Sequence, residues 1–397
     1  MFDVIVVGAG MVGLSQALSL SQRGFQVALL EARPLMVEQE LKTPTAKVVA
    51  LNRASKIFLD QLGVWQKIAS GPCAPYSTMT VWDNAGSGKI TFSAAEFFEP
   101  DLGHIAQNSS IEAALLTALQ KQQVVVYQTT ATALRHYPHY AEIHTQTGAV
   151  LQAKLIVAAD GAQSQLRSLC QIESDHEDYK QSALVTVVRG ENPHKDTAYQ
   201  CFASEGPLAL LPRCDPSTVA CVWTMDPSQA EALKSADKSV FERELTRVSE
   251  GVMGRLYERQ APRIVFPLYS HHAKRYFQGR CVLVGDAAHT LHPLAGQGVN
   301  LGFLDVFALT TLMEQTKQRQ RDWGSEHMLQ RYERARRTHN QMMIWAMRLF
   351  KQGFGRHNIP AIQYLRNVGL NWVDQHHTLK GLFAKAAWGM GAANNKS

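Results

Sequence analysis

The chain has 397 residues, 45% hydrophobic and 19% charged, a composition that excludes a disordered or collagen-like protein and a length that allows two domains. The formal net charge of +6 is uneven: residues 331–397 carry eleven Lys and Arg against two acidic residues, a net charge of +9, whereas residues 1–330 carry −3. Because the basic charge is confined to one end, general nucleic-acid binding is excluded, and contact of that end with an anionic surface is favoured.

The first predicted element is a buried strand from Asp3 to Val7, which leads into a GxGxxG turn. Apolar residues at helical spacing follow, Gly24 ends the predicted helix, and a second strand reaches Glu31. A strand, a glycine turn and a helix, followed by an acid 21 residues after Gly10, form a dinucleotide-binding fingerprint.

This fingerprint has a physical basis. Glycines let the backbone approach a pyrophosphate, the helix N-terminus attracts it, and the acid bonds ribose hydroxyls. An acid at this position disfavours a 2′-phosphate, which leaves NAD and FAD. The predicted contacts are Gly8, Ala9, Gly10, Met11, Val12, Gly13, Glu31 and Arg33.

Glycine-rich turns recur twice later in the chain. A buried strand over residues 155–159 precedes Asp160 and Gly161, and another over 281–284 precedes Gly285 and Asp286. An NAD dehydrogenase completes its nucleotide site within about the first 150 residues. The later glycine turns therefore favour FAD.

These segments resemble a known family. ADGAQSQLR at 159–167 resembles the DG motif, and GDAAHTLHPLAGQGVNLG at 285–302 resembles the GD motif, of the single-component FAD aromatic hydroxylases. The resemblance implies an α/β fold: a Rossmann-like FAD-binding domain with an inserted antiparallel β-sheet substrate domain and a helical C-terminus. It also implies that the first glycine stretch binds the ADP end of FAD and that the GD motif binds the flavin end.

Further segments resemble the ubiquinone-biosynthesis branch of this family. They are LGVWQ (62–66), MTVWDNAGSGKITF (79–92), LGHIAQNSSIEAAL (102–115), GPLALLP (206–212), VFPL (265–268) and RYERAR (331–336). The sequences of these segments are most similar to those of the hydroxylase that acts at C5 of a polyprenylphenol. Lys47 stands where the family usually has Arg, and Lys lacks the planar fork of a guanidinium. The FAD contacts implied by the resemblance are Lys47, Asn108, Asp160, Asp286, Pro293, Gly296, Gly298, Val299 and Asn300.

The domain boundaries follow from these segments. We expect the FAD-binding domain to comprise 1–72, 100–178 and 270–340, the substrate domain 73–99 and 179–269, and a C-terminal helical region 341–397. Residues 181–225 predict three antiparallel strands, covered by one amphipathic helix over 228–250. Phe202, Leu211 and Trp223 are predicted to line an apolar substrate cavity, although a role in the core is the commoner one for such residues.

Histidine and cysteine patterns predict neither a metal site nor disulfides. His289 and His292 have HxxH spacing, but no third ligand lies nearby, so we predict backbone-bonded or solvent-facing side chains and no metal. The pairs His271-His272 and His376-His377 are predicted to lie at the surface. Six cysteines without a CxxC pair favour a reduced cytoplasmic protein. No signal peptide and no membrane span are predicted.

The segment QMMIWAMRLF at 341–350 is apolar nearly all round a helix, so it must be buried in protein or lipid. One interpretation is a helical layer packed on the first domain. The other is a surface that attaches, with the basic residues around it, to an anionic membrane or a biosynthetic complex. The expected location is cytoplasmic, with peripheral contact at the inner membrane, and an oligomer remains open.

The resemblance implies a monooxygenase reaction. NAD(P)H reduces FAD, the reduced flavin takes up O2, and a flavin C4a-hydroperoxide hydroxylates the ring of a polyprenylated phenol. Such chemistry belongs to the cofactor, so no catalytic side chain is assigned. The alternatives are hydroxylation at another ring position, a flavin-dependent quinone reductase without oxygen insertion, and a non-enzymatic scaffold.

Overall fold

The computed structural model describes residues 1–35, 46–84, 86–259, 261–290 and 298–354, and side chains up to residue 344. The predicted contacts Pro293 and Gly296, together with His292, His376, His377 and the rest of residues 355–397, lie outside the described residues. The strands, in chain order, are β1 (Phe2–Val7), β2 (Val27–Glu31), β3 (Val48–Leu51), β4 (Cys73–Tyr76), β5 (Thr78–Asp83), β6 (Lys89–Ser93), β7 (Gly103–Gln107), β8 (Val125–Gln128), β9 (Ala131–His136), β10 (Ala141–Thr145), β11 (Val150–Ala158), β12 (Ser174–Gly190), β13 (Thr197–Ala203), β14 (Gly206–Pro212), β15 (Thr218–Met225), β16 (Leu256–Glu258), β17 (Ile264–Ala273), β18 (Phe277–Gln278), β19 (Cys281–Leu283) and β20 (His289–Thr290).

Helices surround these strands. They are α1 (Met11–Ser21), α2 (Arg53–Gln61), α3 (Trp65–Ala69), α4 (Asn108–Leu119), α5 (Gln165–Leu169), α6 (Pro227–Ser235), α7 (Lys238–Val248), α8 (Gly298–Gln318) and α9 (Glu326–Phe354). In the described part of the chain, no helix is both long enough and apolar enough to cross a lipid bilayer.

The first sheet has the strand order β18-β19-β11-β1-β2-β8, and the β9–β10 hairpin extends it from β11. Strands β19, β11, β1, β2 and β8 run parallel. Continuous apolar runs such as Val4 to Val7 and Val27 to Leu30 are buried, as expected for parallel strands covered on both faces. Helix α1 packs against α4 and α8. This is the Rossmann-like half of the predicted α/β fold, which is confirmed.

The second sheet has the order β20-β17-β12-β15-β14-β13-β5-β6, and its pairs are antiparallel except β13 with β5. Helices α6 and α7 cover one face, where Phe241 and Leu245 belong to the same buried cluster as Trp223. The prediction of one helix over 228–250 was wrong: the chain is extended at Ala236, and a new helix follows Asp237. Residues 181–225 contain the end of β12 and the whole of β13, β14 and β15, and so four strands instead of the predicted three, because a turn separates β13 from β14.

The third sheet is small, with the order β3-β7-β4. Cys73 to Tyr76 pair with β7 in this sheet, whereas the next strand, from Thr78, joins the second sheet. By strand pairing, the predicted insertion at 73–99 therefore begins near residue 78. The wider division into domains stays a prediction.

Candidate functional site

The ends of four neighbouring parallel strands bring the three glycine-containing segments together. β19, β11, β1 and β2 are adjacent in the first sheet. Their carboxyl ends lead to Gly285, Asp160, Gly8 and Glu31, and parallel strands end at the same edge of a sheet. Backbone hydrogen bonds continue beyond the strands, from Gly8 N to Leu30 O (2.8 Å) and from Ala159 N to Val7 O (2.8 Å).

The turn at residues 8–13 is closely packed at Gly8 and Gly13 and open at Gly10. Gly8 has φ +103°, and a Cβ added there or at Gly13 would overlap a backbone carbonyl, that of Ala159 or of Gly8 respectively. A Cβ on Gly10, by contrast, would have no neighbour within 4 Å. Helix α1 begins directly after Gly10 without a side-chain cap. An open turn at an uncapped helix N-terminus is suited to a phosphate group.

Glu31 connects the end of β2 to this turn by a hydrogen bond. Its Oε2 accepts a hydrogen bond from Ala9 N (2.7 Å), and its Oε1 accepts one from Arg33 N (3.0 Å). Burial alone would raise the pKa of Glu31, but the hydrogen bonds from Arg33 and Ala9 outweigh it and lower the pKa. The carboxylate is therefore ionised at neutral pH, and its oxygens keep acceptor capacity for ribose hydroxyls. The Arg33 side chain is exposed and reaches Glu31 Oε1 at 3.2 Å.

The side chain of Asp160 is engaged within its own segment. It accepts hydrogen bonds from Ser164 Oγ (2.6 Å) and Leu166 N (3.1 Å), which fix the start of α5. Arg167 in that helix donates to Ala287 O and Ala162 O, both at 2.9 Å. Asp160 thus shapes the DG segment, and Arg167 joins that segment to the GD segment. A contact between Asp160 and FAD stays a prediction.

The loop from Gly285 to His289 is held on several sides by side chains. His271 Nε2 donates to Asp286 O (2.7 Å). Asp305 of α8 accepts hydrogen bonds from Gly285 N (3.0 Å) and from His289 Nε2 (2.6 Å). The backbone of this loop is therefore fixed by protein groups.

The Asp286 carboxyl points out of this fixed loop. Part of the residue is exposed, but many protein atoms lie near the carboxyl. This partial desolvation, with the charge of Asp305, raises the pKa of Asp286 against the opposing effect of His289. A Cβ on Gly298, the first residue of α8, would lie 3.9 Å from Asp286 Oδ1. The carboxyl is thus placed beside the start of a 21-residue helix.

The predictions for His289 and His271 were wrong. His289 is 0% exposed and bonds a carboxylate, not the backbone or solvent, and His271 is 1% exposed. His289 ends the loop at residues 285–289, the GD loop, and His271 bonds to that loop; their partners Asp305 and Asp286 are separated from them in sequence, so HxxH spacing does not reveal them. In the described residues, no group of three or more His, Cys, Asp or Glu is arranged to hold a metal ion.

Val12 joins the first glycine stretch directly to the second. A Cβ added to Gly285 would lie 3.1 Å from Val12 Cγ1, and one added to Gly302 would lie 2.6 Å from Val12 Cγ2. Both glycines are thus needed for close approach of α1 to the GD segment. The two stretches, nearly 300 residues apart in sequence, form one continuous surface.

Asn300 connects the first turn of α8 to the junction of β3 and α2. Its Oδ1 accepts hydrogen bonds from Asn52 N (3.1 Å) and Ser55 Oγ (2.6 Å), and its Nδ2 donates to Ala50 O (2.9 Å). The side chain, 1% exposed, is bonded to protein. A flavin contact at this residue, and one at Val299, stay predictions.

Asn108 and Lys47 meet on the other side of the site. Asn108 begins α4 and donates its N–H to Lys47 O (3.2 Å). Its Oδ1 is buried, and among the described residues it has no hydrogen-bond partner. Lys47 Nζ lies 5.3 Å from the centroid of the Phe266 ring in the second sheet. The buried Asn108 oxygen favours a hydrogen bond from a bound group.

A cavity of about 700 Å³ lies next to these residues, between the third and second sheets. Val48, Ile105 and Val187 give it apolar walls, and Arg213 and Arg259 are among the charged residues that line it. The volume lies within the usual range of about 300–1,000 Å³ for small-molecule sites. Arg213 also reaches Gln107, the residue before α4, at 3.5 Å.

The predicted substrate residues do not line this cavity. Trp223 is 1% exposed and belongs to the core beneath α6 and α7, so its predicted substrate contact is not supported by its position. Phe202 packs with Val81 and Ile90 in a separate cluster. Leu211 is half-buried in β14, two residues before Arg213. Roles for Phe202 and Leu211 stay predictions.

Together, the residues at this edge fit a bound dinucleotide. The open turn at Gly10, the ionised Glu31, the exposed Asp286 and the buried Asn108 oxygen supply the groups that phosphate, ribose and a ring system require. Sequence analysis did not predict the supporting roles of Arg167, His271 and Asp305. A polar residue such as Asp305 inside an otherwise apolar stretch of α8 was the available signal.

Comparisons with known proteins agree with this geometry. Residues 1–346 match the family model described as FAD binding domain. The 3-demethoxyubiquinol 3-hydroxylase of Escherichia coli (strain K12) is 34% identical over 98% of each chain. The mitochondrial ubiquinone biosynthesis monooxygenase COQ6 of Danio rerio is 32% identical over 96% of this chain and 88% of its own. The solved structure of p-nitrophenol 4-monooxygenase PnpA from Pseudomonas putida DLL-E4 superposes with a TM-score of 0.80 at 18% identity, over 100% of this chain and 99% of its own.

Proposed function

The chain belongs to the FAD binding domain family of aromatic-ring monooxygenases, and on this basis we propose that it hydroxylates the ring of a polyprenylated phenol or quinol in ubiquinone biosynthesis. The observation that carries the proposal is a cavity of about 700 Å³, lined in part by Val48, which follows Lys47 in the chain. The names of the E. coli and Danio rerio relatives support the substrate class.

The chain's own residues bind and orient the cofactor and the substrate ring. The turn at 8–13 and the N-terminus of α1 hold a pyrophosphate, Glu31 accepts ribose hydroxyls, and Asp286 accepts hydroxyls of the ribityl chain. When bound, FAD supplies the redox chemistry, with NAD(P)H as reductant and O2 as the source of oxygen. The apolar side chains of Val48 and Val187 would contact the ring to be hydroxylated.

The ring position is the finer part of the proposal. The segments LGVWQ and LGHI favour C5 by resemblance, whereas the E. coli relative is named for 3-hydroxylation of 3-demethoxyubiquinol. These alternatives call for different substrates, a polyprenylphenol in one case and a demethoxyquinol in the other. The proposal therefore includes both, and the product's ring structure separates them.

The direct test supplies purified, FAD-loaded protein with NAD(P)H, isotopically labelled O2 and each of the two short-chain prenylated substrates. We expect one labelled oxygen atom in the ring of one product, located by NMR spectroscopy. Anaerobic NAD(P)H turnover with a quinone and no label in the product would identify a reductase instead. If no prenylated substrate stimulated NAD(P)H oxidation, the scaffold interpretation would be favoured.

The cavity itself is tested at Val187. Val187→Phe fills part of it and should lower kcat/KM for the prenylated substrate by about tenfold or more, because discrimination in apolar pockets has this size. Val187→Ala is the matched control, since it enlarges the cavity and should leave kcat/KM much closer to that of the unchanged protein. Equal kcat/KM values for the two variants, with FAD bound in both, would place the substrate elsewhere.

A further inference from the structure

A buried polar network lies behind the GD loop. At its centre is Asp305, which is fully buried on α8. One carboxylate oxygen, Oδ2, accepts hydrogen bonds from Gly285 N and His289 Nε2. The other, Oδ1, accepts hydrogen bonds from Arg336 Nε (2.7 Å) and Asn340 Nδ2 (3.3 Å), both on α9. One oxygen thus accepts hydrogen bonds from the loop, and the other accepts hydrogen bonds from the last described helix.

The network continues beyond the carboxylate. Arg336 Nη2 donates to Asn340 Oδ1 (3.0 Å), and Asn340 Nδ2 also donates to Tyr276 OH (3.1 Å). Burial would raise the pKa of Asp305, but the charges and hydrogen bonds of His289 and Arg336 outweigh it and hold the pKa well below its ordinary range. Asp305 is thus a buried anion with donors on both oxygens.

Stability alone is a weak reason for such an arrangement. Removing charges from water is costly, and apolar side chains of similar volume often stabilise a fold as well as a buried ion pair does. What the ion pair adds is direction, because each carboxylate oxygen must face its donors. Here the directed contacts end on the backbone that carries Asp286.

We propose that Asp305 is a positioning residue for FAD: it fixes the backbone of residues 285–289 so that the Asp286 carboxyl meets the cofactor, and Arg336 of α9 fixes Asp305 from behind. The inference rests on FAD binding by this family and not on the identity of the ring substrate. It links α9, which contains the first basic residues of the C-terminal end, to the flavin end of the site.

The test compares FAD dissociation constants, measured by fluorescence titration of apoprotein, for Asp305→Asn and Arg336→Met. Asn keeps the shape but points an N–H group at donors, so FAD binding should weaken about tenfold or more. Arg336→Met should weaken it in the same direction, and Arg336→Lys, which keeps the charge, should restore much of the affinity. The bound flavin's visible spectrum should change in Asp305→Asn and Arg336→Met.

Arg263→Met is the matched control. Arg263 Nε lies 2.7 Å from Glu258 Oε1, and both side chains are largely buried, but the pair lies in the second sheet, away from the GD loop. The control should lose similar thermal stability as apoprotein, with FAD affinity changed less than about twofold.

Unchanged FAD affinity and spectrum in Arg336→Met would overturn the proposal, as would an equal loss of affinity in Arg263→Met. Since Arg336→Met tests the same network, the proposal is decided even if Asp305→Asn does not fold. The readout is FAD binding, so absence of ring hydroxylation in the unchanged protein would overturn the proposed function alone.

Discussion

In the turn at residues 8–13 backbone packs on backbone, whereas in the loop at residues 285–289 buried side chains hold the backbone in place. Gly8 and Gly13 allow carbonyl groups to approach where any Cβ would overlap them. The GD loop depends instead on His271, Asp305 and Arg167, which lie on β17, α8 and α5. Two parts of what we propose to be one cofactor site are thus stabilised by different physical means.

This difference decides how each part responds to change. The first turn tolerates no side chain at particular positions, so its requirements are visible in the sequence as glycines. The GD loop requires charged or polar partners that are distant in sequence. The stability of its conformation therefore depends on hydrogen bonds and on pH. Substitutions can test backbone packing in the first turn separately from side-chain support of the GD loop.

The largest effect is expected in the backbone-packed turn. Gly13→Ala should destabilise the protein by about 3 kcal/mol or more, because its Cβ would overlap the Gly8 carbonyl inside a packed core. Gly10→Ala is the matched control: it faces open space in an extended conformation, so the free energy of unfolding should change by less than about 0.5 kcal/mol while FAD binding weakens. Urea unfolding of both apoproteins measures this, and equal stability would contradict the packing argument.

A smaller, pH-dependent effect is expected at the GD loop. Burial, with the charge of Arg167, lowers the pKa of His271 to about 4, so the unfolded state binds a proton that the folded state refuses between about pH 6.5 and 4. Stability should therefore fall as pH falls, by about 1 to 2 kcal/mol from pH 7 to pH 5. His271→Gln, which keeps a donor for Asp286 O, should flatten this slope in thermal unfolding. An unchanged slope would assign the pH dependence to other groups.

The smallest effect is expected at Glu31, where a side chain supports the backbone-packed turn. Glu31→Gln replaces one acceptor oxygen by a donor facing Ala9 N or Arg33 N, and it should cost about 1 kcal/mol of unfolding free energy. Glu31→Asp, which keeps the charge but shortens the reach, separates charge from geometry. If Glu31→Gln destabilised the protein as much as Gly13→Ala, the distinction between the two parts of the site would fail.

The first strand, helix and strand could be predicted from sequence. β1 and β2 end at the predicted residues Val7 and Glu31, and α1 ends three residues before Gly24, because a buried strand, a glycine turn and a helical repeat are local signals. The roles of His271, His289 and Trp223 could not be predicted, since each depends on which distant element covers it. The break between α6 and α7 at Asp237 was missed because the amphipathic pattern continues across it.

The strand order of the first sheet has a consequence for folding during synthesis. Its three central strands, β19, β11 and β1, come from residues near 282, 154 and 5, so β1 gains its neighbour β11 only after about 150 more residues have been made. At roughly 5–20 residues per second, the interval before β19 follows is on the order of tens of seconds. During synthesis the apolar run from Val4 to Val7 can therefore pair early with β2 but lacks its other partner, β11, and a chaperone that shields this open edge would raise the yield of folded protein.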